Sequence, residues 1–153
     1  MNIDSIQKLH CIILPEKYLR FLSDINNGNE YYFNEHVVED PDFEGRCWWF
    51  FDEVALSKDI EMFQVGHAPT HQQLILYLKI FQEFSNDDFV HSNDGKISTN
   101  RVSNGFVIAE ENGDLLYLDP EDNCSVWIFY HDGNDVMKVS DSFEKWLSKA
   151  TLA

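Results

Sequence analysis

Residues 106–147, FVIAEENGDLLYLDPEDNCSVWIFYHDGNDVMKVSDSFEKWL, alternate short apolar runs with polar turns. The runs 106–109, 115–118, 126–130 and 136–139 have strand length, and their spacing predicts a four-stranded antiparallel meander. Asn112-Gly113 suits the first turn because both residues tolerate positive φ, which matches the twist of the flanking strands. Further turns fall at 120–123 and 132–134. Asp141 is placed to cap a closing helix that carries Phe143, Trp146 and Leu147 on one face, with Glu144 as the reciprocal capping residue.

The first half of the chain is patterned for helices. Ile3, Ile6 and Leu9 make a weak helical stripe. Pro15 fits the first position of a second helix, where its missing N–H has no intrahelical partner to lose. That helix buries Tyr18, Leu19, Phe21, Leu22 and Ile25 and ends at Asn26-Asn27-Gly28, with Gly28 as a left-handed cap. Aromatics and acids are interspersed over 31–44, and Cys47-Trp48-Trp49-Phe50-Phe51 reads as a strand buried on at least one face. A helical turn is expected at 60–63. The apolar stretch 70–84, about four turns long, is expected to be a buried helix. Residues 85–105 read as a long loop with one extended piece near Phe89-Val90. The predicted fold class is α+β, with a mostly antiparallel sheet packed against helices over residues 1–153 as one domain. Phe21, Leu22, Trp127, Phe143 and Leu147 are expected in one core.

Composition narrows the functional classes. The chain has 153 residues, 44% of them hydrophobic and 14% aromatic, enough for a core despite a formal net charge of −16. Eleven Lys+Arg against 27 Asp+Glu disfavour nucleic acid and anionic membranes as direct partners, because both need a cationic face. A basic protein surface is the complementary partner. Cys11, Cys47 and Cys124 are odd in number and far apart, which argues against a disulfide framework. No apolar run reaches the ~18 residues of a membrane span, and the N-terminus lacks a signal-peptide pattern. The expected location is the cytoplasm.

No catalytic constellation emerges. His67 and His71 are four apart, but Pro69 intervenes and the HExxH glutamate is missing, so they read as exposed loop histidines. Asp119, Glu121 and Asp122 lack the glycine and terminal glutamate of a calcium loop and read as an acidic turn. The chain is expected to be no enzyme and to hold no metal or cofactor. Trp48 and Trp49 are the candidate aromatic anchors. Consecutive strand residues point to opposite faces, so one can enter the core while the other faces outward; burial of both under neighbouring loops is the favoured arrangement.

The block from Phe106 to Glu111, then Gly113-Asp114, Leu115-Leu116-Tyr117-Leu118-Asp119, Val126, Trp127, Tyr130 and Ser142-Phe143 resembles the C-terminal half of the SMI1/KNR4 family of the SUKH superfamily. Leu14-Pro15, Tyr18, Phe21, Leu22 and Asn26-Asn27-Gly28 resemble that family's first conserved helix. The resemblance implies an immunity protein that neutralises a cognate bacterial toxin, expected to be basic and of nuclease type, by stoichiometric occlusion. Its alternative implication is a regulatory scaffold of the eukaryotic kind, whose members carry disordered extensions; none is expected here. The free protein is expected to be a monomer. The candidate partner-binding residues are Glu39, Asp40, Asp42, Glu44, Asp87, Asp88, Glu121 and Asp122 in surface loops, beside Trp48 or Trp49.

Overall fold

A computed structural model describes residues 2–25, 29–62 and 64–153. The helices are α1 (Ile3–Leu9), α2 (Glu16–Asp24), α3 (Glu53–Ser57), α4 (Leu74–Ser85), α5 (Thr99–Ser103) and α6 (Phe143–Lys149). The strands are β1 (Glu30–Phe33), β2 (Arg46–Phe50), β3 (Asp59–Met62), β4 (Gly66–Pro69), β5 (Phe89–Ser92), β6 (Gly95–Ser98), β7 (Phe106–Glu111), β8 (Asp114–Asp119), β9 (Ser125–Tyr130), β10 (Asp135–Ser140) and β11 (Thr151–Leu152). Nine of them form one sheet in the order β11-β1-β2-β7-β8-β9-β10-β5-β6, while β3 and β4 pair separately. Among the described residues every pairing is antiparallel except β10 with β5.

The predicted meander is the centre of this sheet. Asn112 and Gly113 take φ of +47° and +90° and close the β7–β8 turn in register, with Glu111 opposite Asp114. All six residues of β8 are buried, so both faces of the sheet are covered there. On one face, Phe143 of α6 and Phe21 and Tyr18 of α2 pack edge-on against one another, with Phe50 of β2 alongside. On the other, Tyr77 of α4 meets Phe129, and Trp127 stacks with Tyr117. Phe21, Leu22, Trp127 and Phe143 belong to the buried core, and Leu147 packs against it half-buried.

Several elements depart from the sequence-based expectation. The closing helix is capped by Ser142, whose hydroxyl accepts from the Lys145 N–H; Asp141 instead pairs with Lys138 and Lys145, so there is no box with Glu144. Pro15 sits one residue before α2 as its cap. The expected cap at Gly28 lies outside the described residues. The stretch 60–62 is strand β3, and Phe63 is likewise outside the described residues. Thr70–Gln72 is a 3-10 turn, with the Thr70 N–H taken by the Lys58 carbonyl, so α4 starts only at Leu74. Leu74, Leu76 and Leu78 are buried, but Phe84 is 85% exposed at the far end. Residues 89–98 form the β5–β6 hairpin where a loop was expected. Its buried apolar residues are Val90 and Ile97, too few to announce two strands.

Candidate protein-binding site

Strand direction decides which loops meet. Neighbouring strands from β1 through β10 alternate in direction, so the 34–45, 112–113 and 131–134 connections share one end of the sheet. Strand β5 runs parallel to β10 and starts at that end too, which places Asp87 and Asp88 there. The turn at 120–124 lies at the opposite end.

The expected acidic patch is therefore divided. Glu39, Asp40, Asp42 and Glu44 sit in the 34–45 loop, and Asp87 and Asp88 lie at the same end on the far side of the sheet. Glu121 and Asp122 are at the other end, where Asp122 accepts from Ser125 Oγ and pairs with Lys138 at 2.8 Å. Trp48 and Trp49 alternate as strand geometry demands. Trp48 is fully buried, so it is no surface anchor, whereas Trp49 is 44% exposed on the opposite face. Burial of both fails because Trp49 is only partly covered, in a groove it lines with Phe51, Ala55, Lys58, Ile60, Thr70, Gln73 and Glu110.

The 34–45 loop is held by its own residues. Asn34 Nδ2 donates to the carbonyls of Asp40 and Phe43, and Asn34 Oδ1 accepts from the His36 N–H. Gly45, at φ +109°, closes the loop where any Cβ would collide with the Phe33 backbone. Arg46 then anchors it with a partly buried network that spacing did not reveal. Its guanidinium donates to Glu35 at 2.9 Å, Glu111 at 2.6 Å and Asp114 at 2.7 Å, and lies 4.9 Å over the Trp48 ring. Tyr130 hydroxyl bonds Glu35, and the His131 backbone N–H and imidazole bond Asp114 at 3.0 and 2.6 Å. Burial works against the Arg46 charge, but the Glu35 and Asp114 bonds outweigh it and raise its pKa. Asp114 is likewise penalised by burial, yet Arg46 and His131 hold its carboxyl below the usual range. Burial and then Glu35 push the Tyr130 phenol up.

One guanidinium thus serves three carboxylates and leaves the network net negative before the loop acids are counted. Asp132 and Asp135 stand beside it, lining a groove of about 540 Å³ with His36, His91, Tyr130 and Met137. The sequence did carry one signal for this network. Arg46 shares strand parity with Trp48 and Phe50, both buried, so an inward-facing arginine required carboxylate partners.

The other candidate chemistry separates. His67 is exposed on β4 and lies 3.0 Å from Asp59. His71 is not an exposed loop histidine but is 2% exposed, stacked on Phe106 at 5.0 Å and edge-on to His10 at 5.1 Å. Burial, and then His10, lower its pKa to about 4. Among the described residues no three His, Cys, Asp or Glu are grouped to hold a metal ion, and no helix is long and apolar enough to cross a membrane. The three cysteines are free thiols.

No curated protein and no solved structure matches the chain. A family model described as SMI1 / KNR4 family (SUKH-1) matches residues 2–149. That span includes 31–104, where the motif resemblance is weak and where the acidic loop and Arg46 lie. The chain, with its mostly antiparallel sheet between helices, belongs to the SMI1/KNR4 family (SUKH-1), a family that includes immunity proteins.

Proposed function

We propose that this chain is an immunity protein that binds a cognate bacterial toxin and neutralises it by stoichiometric occlusion, without turnover. The observation that carries the proposal is the one-signed end of the sheet. Glu35, Glu111 and Asp114 already consume the Arg46 charge, so Glu39, Asp40, Asp42 and Glu44 add unopposed negative potential beside them. Such a field draws in a cationic surface and raises its encounter rate. The partner it fits is a basic effector domain, of which a nuclease with a phosphate-binding cleft is the natural example. Both the acidic end and the toxin's nucleic-acid substrate present closely spaced anions, so the chain competes for the same cleft. The chain acts in the cytoplasm, binds no nucleic acid itself, and stays monomeric when free because like-charged copies repel.

The test is co-expression with the protein encoded next to its gene, followed by mixing of the purified pair. Growth rescue and a 1:1 complex are expected. A neighbouring protein that is toxic, yet neither binds this chain nor is relieved by it, overturns the proposal in favour of a regulatory binding module.

A further inference from the structure

Two of the four tryptophans are matched to an arginine and at least one carboxylate. Trp48 has Arg46 at 4.9 Å over its ring, with Glu35, Glu111 and Asp114 around the guanidinium. Trp127 has Arg101 at 5.7 Å, with Asp119 accepting from it at 2.6 and 2.8 Å. A third, Trp146, is fully buried among aromatic rings. Trp49 has the carboxylates and lacks the arginine. It pairs with Glu30 of β1 on one side and Glu110 of β7 on the other. Residues paired across strands share a face and stand about 5 Å apart. The order Glu30, Trp49, Glu110 is therefore a row of two carboxylates flanking a half-exposed indole. Both glutamates are exposed. Among the described residues Glu110 makes no side-chain hydrogen bond or ion pair, and Glu30 accepts only from the Cys47 thiol, at 3.1 Å. Tyr32 and Cys47 extend the same face; Cys47 and then Glu44 raise the Tyr32 phenol, while burial and then Glu30 push the Cys47 thiol up to about 11.

We propose that this row is a clamp for an arginine side chain of a basic protein partner. A guanidinium is flat and stacks on tryptophan more readily than an ammonium, and while stacked it keeps its N–H edges free for carboxylates on either side. Arg46 and Arg101 show the same arrangement satisfied from within the chain. Charge decides the occupant. The face offers two flanking carboxylates on a chain of net charge −16, which repels a second copy and any anionic ligand. On one side Trp49 and Glu110 line a groove of about 390 Å³ together with Lys58, Phe51 and Ile60. That groove already holds the Lys58 ammonium, so an incoming guanidinium approaches Trp49 from the Glu30 side, which the groove does not include. The clamp rests on the reading of this chain as the binder of a basic toxin, and it adds the anchor residues.

The probe is an end-blocked hexa-arginine peptide, compared with hexa-lysine, followed by NMR at the Trp49 indole N–H, assigned with Trp49→Phe. Hexa-arginine is expected to shift that peak more strongly and at lower concentration than hexa-lysine. Glu30→Gln and Glu110→Gln should each weaken the effect about two- to fivefold, as exposed ion pairs do. An unmoved Trp49 peak, an equal response to lysine, or no loss in either glutamine variant overturns the clamp. With the neighbouring toxin, Trp49→Ala should raise the dissociation rate about 30-fold, the size of a hot-spot loss. A toxin held equally well by Trp49→Ala refutes the clamp and leaves the immunity reading intact. A Trp49 peak that answers arginine when no toxin binds leaves the clamp and removes the immunity reading.

Discussion

Replacing Arg46 with methionine keeps the aliphatic stem and deletes the guanidinium. The side chains of Glu35, Asp114 and Glu111 are 3%, 12% and 15% exposed, and they would then face one another without their cation. Removing one partner of a buried ion pair costs about 3–5 kcal/mol. The Arg46 side chain is 26% exposed, so solvent softens the loss to the lower end, about 3 kcal/mol. Acid should change that deficit in a definite direction. In the native chain Asp114 titrates below its ordinary value, so its contribution is present above the unfolded pKa of about 3.9 and is lost as pH falls through the folded one. In the variant, three crowded carboxylates without a cation bind protons more readily folded than unfolded. Its stability relative to the native chain therefore recovers as the medium becomes acidic. Urea melts of Arg46→Met and the native chain, at pH about 7 and about 4.5, measure both effects. Arg46→Lys should fall between, because one ammonium cannot present a fork to three acceptors. A neutral-pH loss below about 1 kcal/mol, or a deficit that does not shrink in acid, refutes the reasoning.

Other outcomes follow from the same contacts. Phe143 is fully buried against Tyr18, Phe21 and Trp146, so Phe143→Ala should cost about 3–5 kcal/mol in denaturant melts; under about 1 kcal/mol would place α6 outside the core. His71 titrates near 4 when folded against 6.5 when exposed. Its stabilising contribution is whole above pH 6.5, declines as pH falls toward 4, and totals about 3 kcal/mol by linkage. His71→Gln should flatten that part of the pH–stability curve, and an unchanged slope would show that the ring is protonated in place. Gly113 needs its positive φ, so Gly113→Val should destabilise by about 1–3 kcal/mol, checked by thermal melts.

The parts of the fold legible in the sequence were those where one local signal dominated. Residues 106–139 alternate runs and turns so clearly that strands and hairpin follow from Asn112-Gly113 and the apolar spacing, whereas the register shifts at 107–109 and 138–140 do not. The β5–β6 hairpin was hidden because its surfaces are mostly exposed; Val90 and Ile97 alone face the core, and the remaining residues read as loop. The helix cap was displaced by one residue because Asp141 and Ser142 are both good caps, and the choice fell to the lysines that claim Asp141. The acidic loop at 34–45 was legible as surface, but of its anchor only the strand phase of Arg46 was legible, and none of its partners. Glu35, Arg46, Glu111 and Asp114 are separated by up to 68 positions in the hydrogen bonds they share, and only the strand order joins them. Trp49 illustrates the same limit. Its alternation with Trp48 is local, whereas its exposure depends on how far the distant residues Ala55, Ile60, Thr70 and Gln73 close over it.

The central claim is that electrostatic capture of a basic toxin occurs at the acidic end of the sheet. It is tested most directly by the association rate constant of the native chain and the neighbouring toxin, at about 20 mM and about 200 mM salt, beside a variant in which Glu39, Asp40, Asp42 and Glu44 are reversed to lysine. The account predicts association that slows at least about tenfold with salt in the native chain, and a slower, nearly salt-independent rate in the folded variant. Equal rates and equal salt slopes for the two proteins would contradict it.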